Sequence, residues 1–488
     1  MSRAATAFRG LAVLGVALVA AGAEVRAQGL NETVLRGDID PRDGPAAIAP
    51  AGDIGLRPSL PGSAMDFDAG RGVADVEVLP GVEQPLDRLP IAAGSLGLTT
   101  PAPRRRTIAE ADPFAPVGVR VGAFVATPFA ELRGGYDSNA LRVPDGAGSL
   151  FTQASGGFAA RSDWSRHALD VELRGGYTAY ENVTGNNRPD AAATLRGRID
   201  VSSLVRIDAV LRGVLTTNAP GSVDSVANAK QPPLIFETGL DLGITRRFNR
   251  LELGVAGIIE RQDHRPAELT DGTTESQADQ NVTGYGVRLR GAYEVSPSFK
   301  PFVQMVADTR VYDIVPDSEG LDRDSNGLTV STGAELALSG LVTGSASIGY
   351  TWRRYSDPLL EDISGLVADA ALRWAASGLT TVTLTARSGV EETTFENASG
   401  DFVHQMQLEV EHAFRRWLIG SASVAYRIDD YEGTDLTEET LTLAAGLRYR
   451  IGRTAEVMAE LSHLRLNSSV PGDDYTANVV QIGLRLQR

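Results

Sequence analysis

The 488-residue chain contains no cysteine. That excludes a disulfide scaffold, a thiolate metal site, a cysteine nucleophile and lipidation at an N-terminal cysteine. Histidine is nearly as scarce, with His167, His264, His404, His412 and His463 making up the whole set. A hydrolase needs one of them beside a serine or a paired carboxylate. Asp429-Asp430 is the best carboxylate pair and His264 falls in another connection, so the spacing joins nothing catalytic and no enzyme is expected. Positive charge is in deficit, 46 Lys and Arg against 62 Asp and Glu, a net −16 that argues against nucleic acid as partner. Long apolar runs are missing except near the start. There Arg3 and Arg9 precede the run 11–21, and Val25-Arg26-Ala27 offers small residues for cleavage, so residues 1–27 read as a secretory signal peptide. The run falls short of the about 20 residues a spanning helix needs.

Residues 28–116 show no sustained period. Proline recurs there at Pro41, Pro45, Pro50, Pro58, Pro61, Pro80, Pro85, Pro90, Pro101 and Pro103 among glycine and alanine. Such a segment buries too little apolar surface to offset its ordering entropy, and a disordered tail is expected. After Pro128 the prolines only separate segments that alternate. The stretch 441–451, "LTLAAGLRYRI", is an example. A period of two puts Leu441, Leu443, Leu447, Tyr449 and Ile451 on one face and Arg448 and Arg450 on the other. Roughly eighteen such runs follow one another, each near the 9–11 residues of a tilted membrane strand.

The connections take turns, and this is the sharper signal. Short ones such as 247–250, 339–340, 377–378, 415–416 and 452–453 alternate with long polar ones at 141–149, 220–233, 261–280, 313–326, 356–363 and 429–439. The short set is basic and the long set acidic. Tyr136, Tyr177, Tyr180, Tyr312, Tyr350, Tyr355, Tyr426 and Tyr475 fall near the long set; Trp164, Phe248, Trp374, Phe414 and Trp417 fall near the short set. Short periplasmic turns, long external loops and two aromatic girdles describe an outer-membrane barrel. The expected fold is therefore all-β: an up-and-down antiparallel transmembrane barrel over residues 117–488, with residues 28–116 as a periplasmic tail.

With that many strands the lumen holds water, and the polar parity of each strand should line it. The positions expected there are Arg174, Arg196, Arg198, Arg206, Arg212, Arg288, Arg290, Arg310, Arg448 and Arg450. The acids expected with them are Glu172, Asp208, Glu237, Asp241, Asp308, Glu409, Glu456 and Glu460. Arginine there could steer anions or brace the wall by cross-strand pairing. No metal or cofactor is expected. Residues 322–327, "DRDSNG", start like a calcium loop, but Gly333 stands where the bidentate Glu is needed. The repeated "RGGY" at 133–136 and 174–177 is better suited to close cross-strand packing than to phosphate binding.

Residues 112–139, "DPFAPVGVRVGAFVATPFAELRGGYDSN", resemble the entry and first strand of the β-barrel porin type 2 family of bacterial outer-membrane proteins. The resemblance extends over about residues 112–488 and implies a barrel of about eighteen strands. For some members it implies a port for secreted polysaccharide. The partners then expected are outer-membrane lipid and lipopolysaccharide, the barrel-assembly machinery, and periplasmic polysaccharide-export components met through the tail. Against the common pattern of a terminal aromatic, this chain ends Leu486-Gln487-Arg488. A plugged surface or adhesion barrel and, more remotely, a barrel hydrolase are the competing functions.

Overall fold

The computed structural model describes residues 113–488 apart from 219–225, 227, 339–340, 394 and 396–397. The expected signal peptide and nearly all of the expected tail lie outside the described residues.

A short strand, β1 (Val119–Val121), turns at Gly122, whose φ of 59° favours glycine, and folds back on β2 (Phe124–Asp137). The wall continues through β3 (Ser149–Ser162), β4 (Ala168–Tyr180), β5 (Arg188–Asp200) and β6 (Val205–Thr217). Next come β7 (Leu234–Phe248) and β8 (Leu251–His264). A ribbon of β9 (Ala267–Glu268) and β10 (Thr274–Glu275) stands in the following connection. Then follow β11 (Val282–Tyr293), β12 (Phe299–Tyr312), β13 (Ser325–Leu338), β14 (Val342–Tyr355) and β15 (Ile363–Ala375). The ring ends with β16 (Thr380–Glu391), β17 (Gly400–Arg415), β18 (Leu418–Glu432), β19 (Thr437–Arg450), β20 (Ala455–Ser468) and β21 (Tyr475–Gln487).

One sheet contains nineteen strands, and β1 pairs in it with β2 alone. The other eighteen each pair antiparallel with both neighbours, β8 with β11, and β21 returns to β2 through Phe129↔Gln487 to Asp137↔Val479. The sheet has no free edge over that height, which is the condition for strands to cross lipid.

Alternation sets what each face meets. Leu132, Leu242, Val287, Leu289, Val303, Ile348, Leu461, Val480 and Ile482 point outward and are exposed. A continuous apolar band of that kind belongs against lipid, not water. On β19, Leu443, Leu447 and Tyr449 are exposed while Arg450 is buried on the inner side, as the period of two requires.

Two expectations need correction. Residues 429–439 are no long loop: the β18–β19 ladder runs on to Asp430↔Thr437, leaving only the turn 433–436. The acids fit within the ladder because each has a partner there: Asp429 pairs with Arg427, and Asp430 accepts a hydrogen bond from Thr437 Oγ1 at 3.1 Å. Second, Tyr180, Tyr312 and Tyr355 are no part of an outer girdle. They are buried on the inner side, because each lies an odd number of positions from an outward residue such as Tyr177, Val311 or Trp352. Tyr136, Tyr177 and Trp352 are outward and exposed near the long connections, and Trp164, Phe248, Trp374, Phe414 and Trp417 are exposed near the short ones.

Candidate functional site

On the inner side, Arg206, Arg288, Arg290, Arg310, Arg450, Asp308 and Glu456 are buried. Arg174, Arg196, Arg198, Arg212, Arg448, Glu172, Asp208, Glu409 and Glu460 are half-buried, each on the parity opposite its strand's exposed apolar residues. Most of these arginines hold carboxylates. Arg206 reaches Asp208 at 2.7 Å and Arg290 reaches Glu335 at 2.8 Å. Arg288 pairs with Asp241, Arg450 with Glu456 at 3.4 Å, and Arg196 with Glu172 at 3.8 Å. Lys300 joins Glu335 at 2.9 Å to Glu252 at 3.1 Å.

One pair reaches over an intervening strand at a glycine. The register runs Asp308↔Gly327↔Arg353, and Arg353 bonds Asp308 across β13. A Cβ on Gly327 would stand 2.5 Å from Asp308 Oδ1 and 2.7 Å from Arg353 Nη2. Arg353, Glu335, Arg387, Asp401 and Arg427 were not anticipated from sequence, although parity marks them: Arg353 follows outward Trp352.

The wall is interrupted on one side. The β15–β16 ladder covers only Asp369↔Arg387 to Ala375↔Thr381. Beyond it, β15 continues on β14 up to Ile363, and β16 continues on β17 up to Glu391↔Asp401. On these upper parts of β16–β18 the residues of outward parity, Val390, Phe402, His404 and Ile428, are buried. Phe402 packs with Tyr355, Leu360, Ile363, Val367 and Val390, its ring occupying the place a Cβ on Gly365 would take. Gly365, Ile363 and Val367 belong to the inner side of β15. The upper parts of β16 and β17 therefore lie inside the barrel mouth, layered on β14–β15.

Polar ties hold that segment from the far side. Arg310 Nη2 donates to the Val390 carbonyl at 2.7 Å, and Arg310 and Tyr312 both bond Glu392. Arg323 Nη1 donates to the Ala398 carbonyl at 2.7 Å and pairs with Asp317 at 2.6 Å. His404 shares a 2.9 Å hydrogen bond with Ser388 Oγ, which accepts from the Ala368 N–H at 3.2 Å just past the end of the ladder. The mouth is thus partly filled by the chain's own strands.

The carboxylate pair does not form a site with His264. Asp429 lies on the inner side in contact with Arg427, while Asp430 faces the other way and accepts from Thr437 Oγ1 at 3.1 Å. Residues 322–327 form no cation cage: Asp322 Oδ1 accepts the Asp324 N–H at 3.1 Å, and Asp324 Oδ1 accepts the Tyr312 N–H at 2.8 Å. Among the described residues no three metal-ligating side chains gather. Gly135 of the first "RGGY" lies under the Phe151 ring, whose Cζ is 2.6 Å from where a Cβ would stand. In the connections, Asp313 is held below the usual carboxylate range by hydrogen bonds from Arg261, both at 2.6 Å. Asp357 is held low by the N–H groups of Asp322 and Leu359.

The model of the family described as "Putative beta-barrel porin 2" matches residues 112–488. The chain belongs to this family. Among solved structures, this porin-family barrel is similar to the outer membrane protein OpdK from Pseudomonas aeruginosa. Identity is 13% and the TM-score 0.38, over 74% of this chain and 99% of that one. OccK2 (OpdF) from the same organism gives 12% and 0.39 over 75% and 98%. The copper transporter OprC gives 12% and 0.42 over 76% and 82%. Likenesses this distant say nothing of what the present barrel carries. A search of the curated proteins finds no match.

Proposed function

We propose that this porin-family barrel is a passive, non-catalytic conduit through the outer membrane, used for polysaccharide leaving the cell. The observation that carries the conduit is the closed ring whose outer side is apolar and whose inner side is charged and hydrogen-bonded. Such an inner side keeps water in the lumen. The polysaccharide cargo rests on the family resemblance and on the wealth of inward hydrogen-bonding groups, which suit a hydroxylated chain. In this reading the long connections face outward from the cell, and residues 28–116 face periplasmic export components. The inward charges expected from sequence line the path.

Purified barrel in a planar bilayer should give discrete conductance steps, and a deletion strain should lose surface polysaccharide. Conductance without any loss of polysaccharide would leave a porin and remove the cargo. One observation favours a second reading, a surface barrel with a closed lumen: the segment from β16 to β17 folded into the mouth. Absence of conductance from heat-resistant, folded barrel would decide for it.

A further inference from the structure

The ladder between β15 and β16 stops at Asp369↔Arg387, although neither strand carries a proline beyond that point. One step further the register would set Ala368 against Ser388. In place of a backbone bond, the Ala368 N–H donates to Ser388 Oγ at 3.2 Å. Ser364 and Leu366 turn their backbone groups to the same side as Ala368, and among the described residues no strand pairs with that edge. On β16 the matching group is the Val390 carbonyl, which Arg310 Nη2 caps at 2.7 Å from β12. Two half-ladders thus stand apart, each with groups that a neighbouring strand would satisfy.

Continuing the same register places Leu366 opposite Val390. Tyr350↔Leu366 and Val390↔Phe402 are already paired. The joined strands would therefore carry one outward row of Tyr350, Leu366, Val390 and Phe402. Leu366 is exposed on the outer side, whereas Val390 and Phe402 are buried against the inner side of β15. An unbroken apolar and aromatic row is what a lipid-facing wall carries near its interface. Phe402 loses little by such a move, because hydrocarbon is as apolar as the cluster it leaves. The exchange sets the polar ties from Arg310, Tyr312 and Arg323 against the backbone bonds of a completed ladder.

We propose that the upper parts of β16 and β17 are a gate with two positions. In one they fold inward on β14–β15 and fill the mouth; in the other they join the free edge of β15, complete the wall and clear the path. The inference rests on the conduit reading and adds to it a way of opening and closing the lumen.

The chain has no cysteine of its own, so an engineered disulfide can trap the joined position. Leu366→Cys and Val390→Cys would face each other there as a hydrogen-bonded antiparallel pair, about 5.5 Å between Cα atoms and within disulfide reach. Folded inward, the two side chains lie on opposite faces of β15 and cannot bridge. Ala370→Cys with Ala386→Cys, already opposite each other in the ladder, is the control for oxidation. In bilayers, the full-length barrel oxidised at the Leu366/Val390 pair should lose its closures, and reduction should restore them. Gly365→Ala, whose Cβ would take the place of the Phe402 ring, should speed the cross-link roughly tenfold or more while migration stays heat-resistant. The gate is overturned if the control cross-links and the Leu366/Val390 pair does not, with or without Gly365→Ala. It is equally overturned if the trapped barrel closes as often as the reduced one. If neither form conducts, the conduit reading fails by itself; cross-linking at Leu366/Val390 then still upholds the two positions, and its absence overturns them.

Discussion

Replacing Phe402 by alanine should release the inward-folded segment without unfolding the wall. The ring is 1% exposed and touches residues from β14, β15, β16 and the intervening connection, so its removal takes away most of the apolar contact holding the segment against β15. Phe→Ala changes in packed sites cost about 3–5 kcal/mol. The remaining ties are hydrogen bonds from Arg310, Arg323 and His404, worth about 0.5–3 kcal/mol each, more when charged. The ring thus contributes as much as two or three of them together. A loss of 3–5 kcal/mol in the opening free energy raises hydrogen exchange of the local amides by roughly two to three and a half orders of magnitude. That acceleration should appear at residues 388–391 and 400–404 while β4–β7 keep their protection. Mean conductance should rise in parallel as the mouth clears. Exchange at 388–404 within threefold of wild type would refute the argument, since it would mean that the ring fills space without holding the segment. Acceleration spread evenly around the barrel would refute it differently, by making the segment part of one cooperative unit.

Three further outcomes follow from the same geometry. Gly327→Ala places a Cβ between Arg353 and Asp308 and should lower stability to denaturant by about 1–3 kcal/mol, read as a shifted urea midpoint; an unchanged midpoint would mean the bridge is slack. Asp313 has a lowered folded value, so its contribution is complete above the ordinary carboxylate value of about 3.9 and fades as pH falls through the folded value. The protection of loop 313–324, taken relative to the intrinsic exchange rate at each pH, should therefore stay even from pH 8 to 5 and fall below about pH 4, whereas a loss of protection only at high pH would give the shift the wrong sign. An epitope at Gly272 should be labelled on intact cells and one at Gly62 should not; the reverse pattern would invert the topology.

Much of the wall was legible from the chain because the period of two and the alternation of short and long connections are local signals. The strands and their closure need only these plus an even count. Less was legible at the rim. Tyr180 and Tyr355 sit near long connections just as Tyr136 does, and only parity, counted from Tyr177 or Trp352, turns them inward. Arg353 was hidden because it stands beside Arg354 near the strand's end at Tyr355, and two adjacent arginines leave the polar parity unmarked. The departure of β16 left no local mark at all. Val390 and Phe402 keep the parity of lipid-facing residues, and their burial depends on a partner strand from elsewhere in the ring. Which arginines are struts was equally hidden, because it depends on which residues the register sets side by side.

The two shortest ladders of the ring are β15–β16 and β2–β21. They divide the wall into two panels, β2 to β15 and β16 to β21, each internally bonded along nearly its whole height. A hoop made this way does not share load evenly. Sideways pressure from the bilayer, or a pull on the outer loops, concentrates at the two seams, and the smaller panel can tilt against the larger without any strand inside either panel breaking. Heated or stretched, the barrel should part along these lines first and behave as a hinged staved vessel, not as a uniform tube.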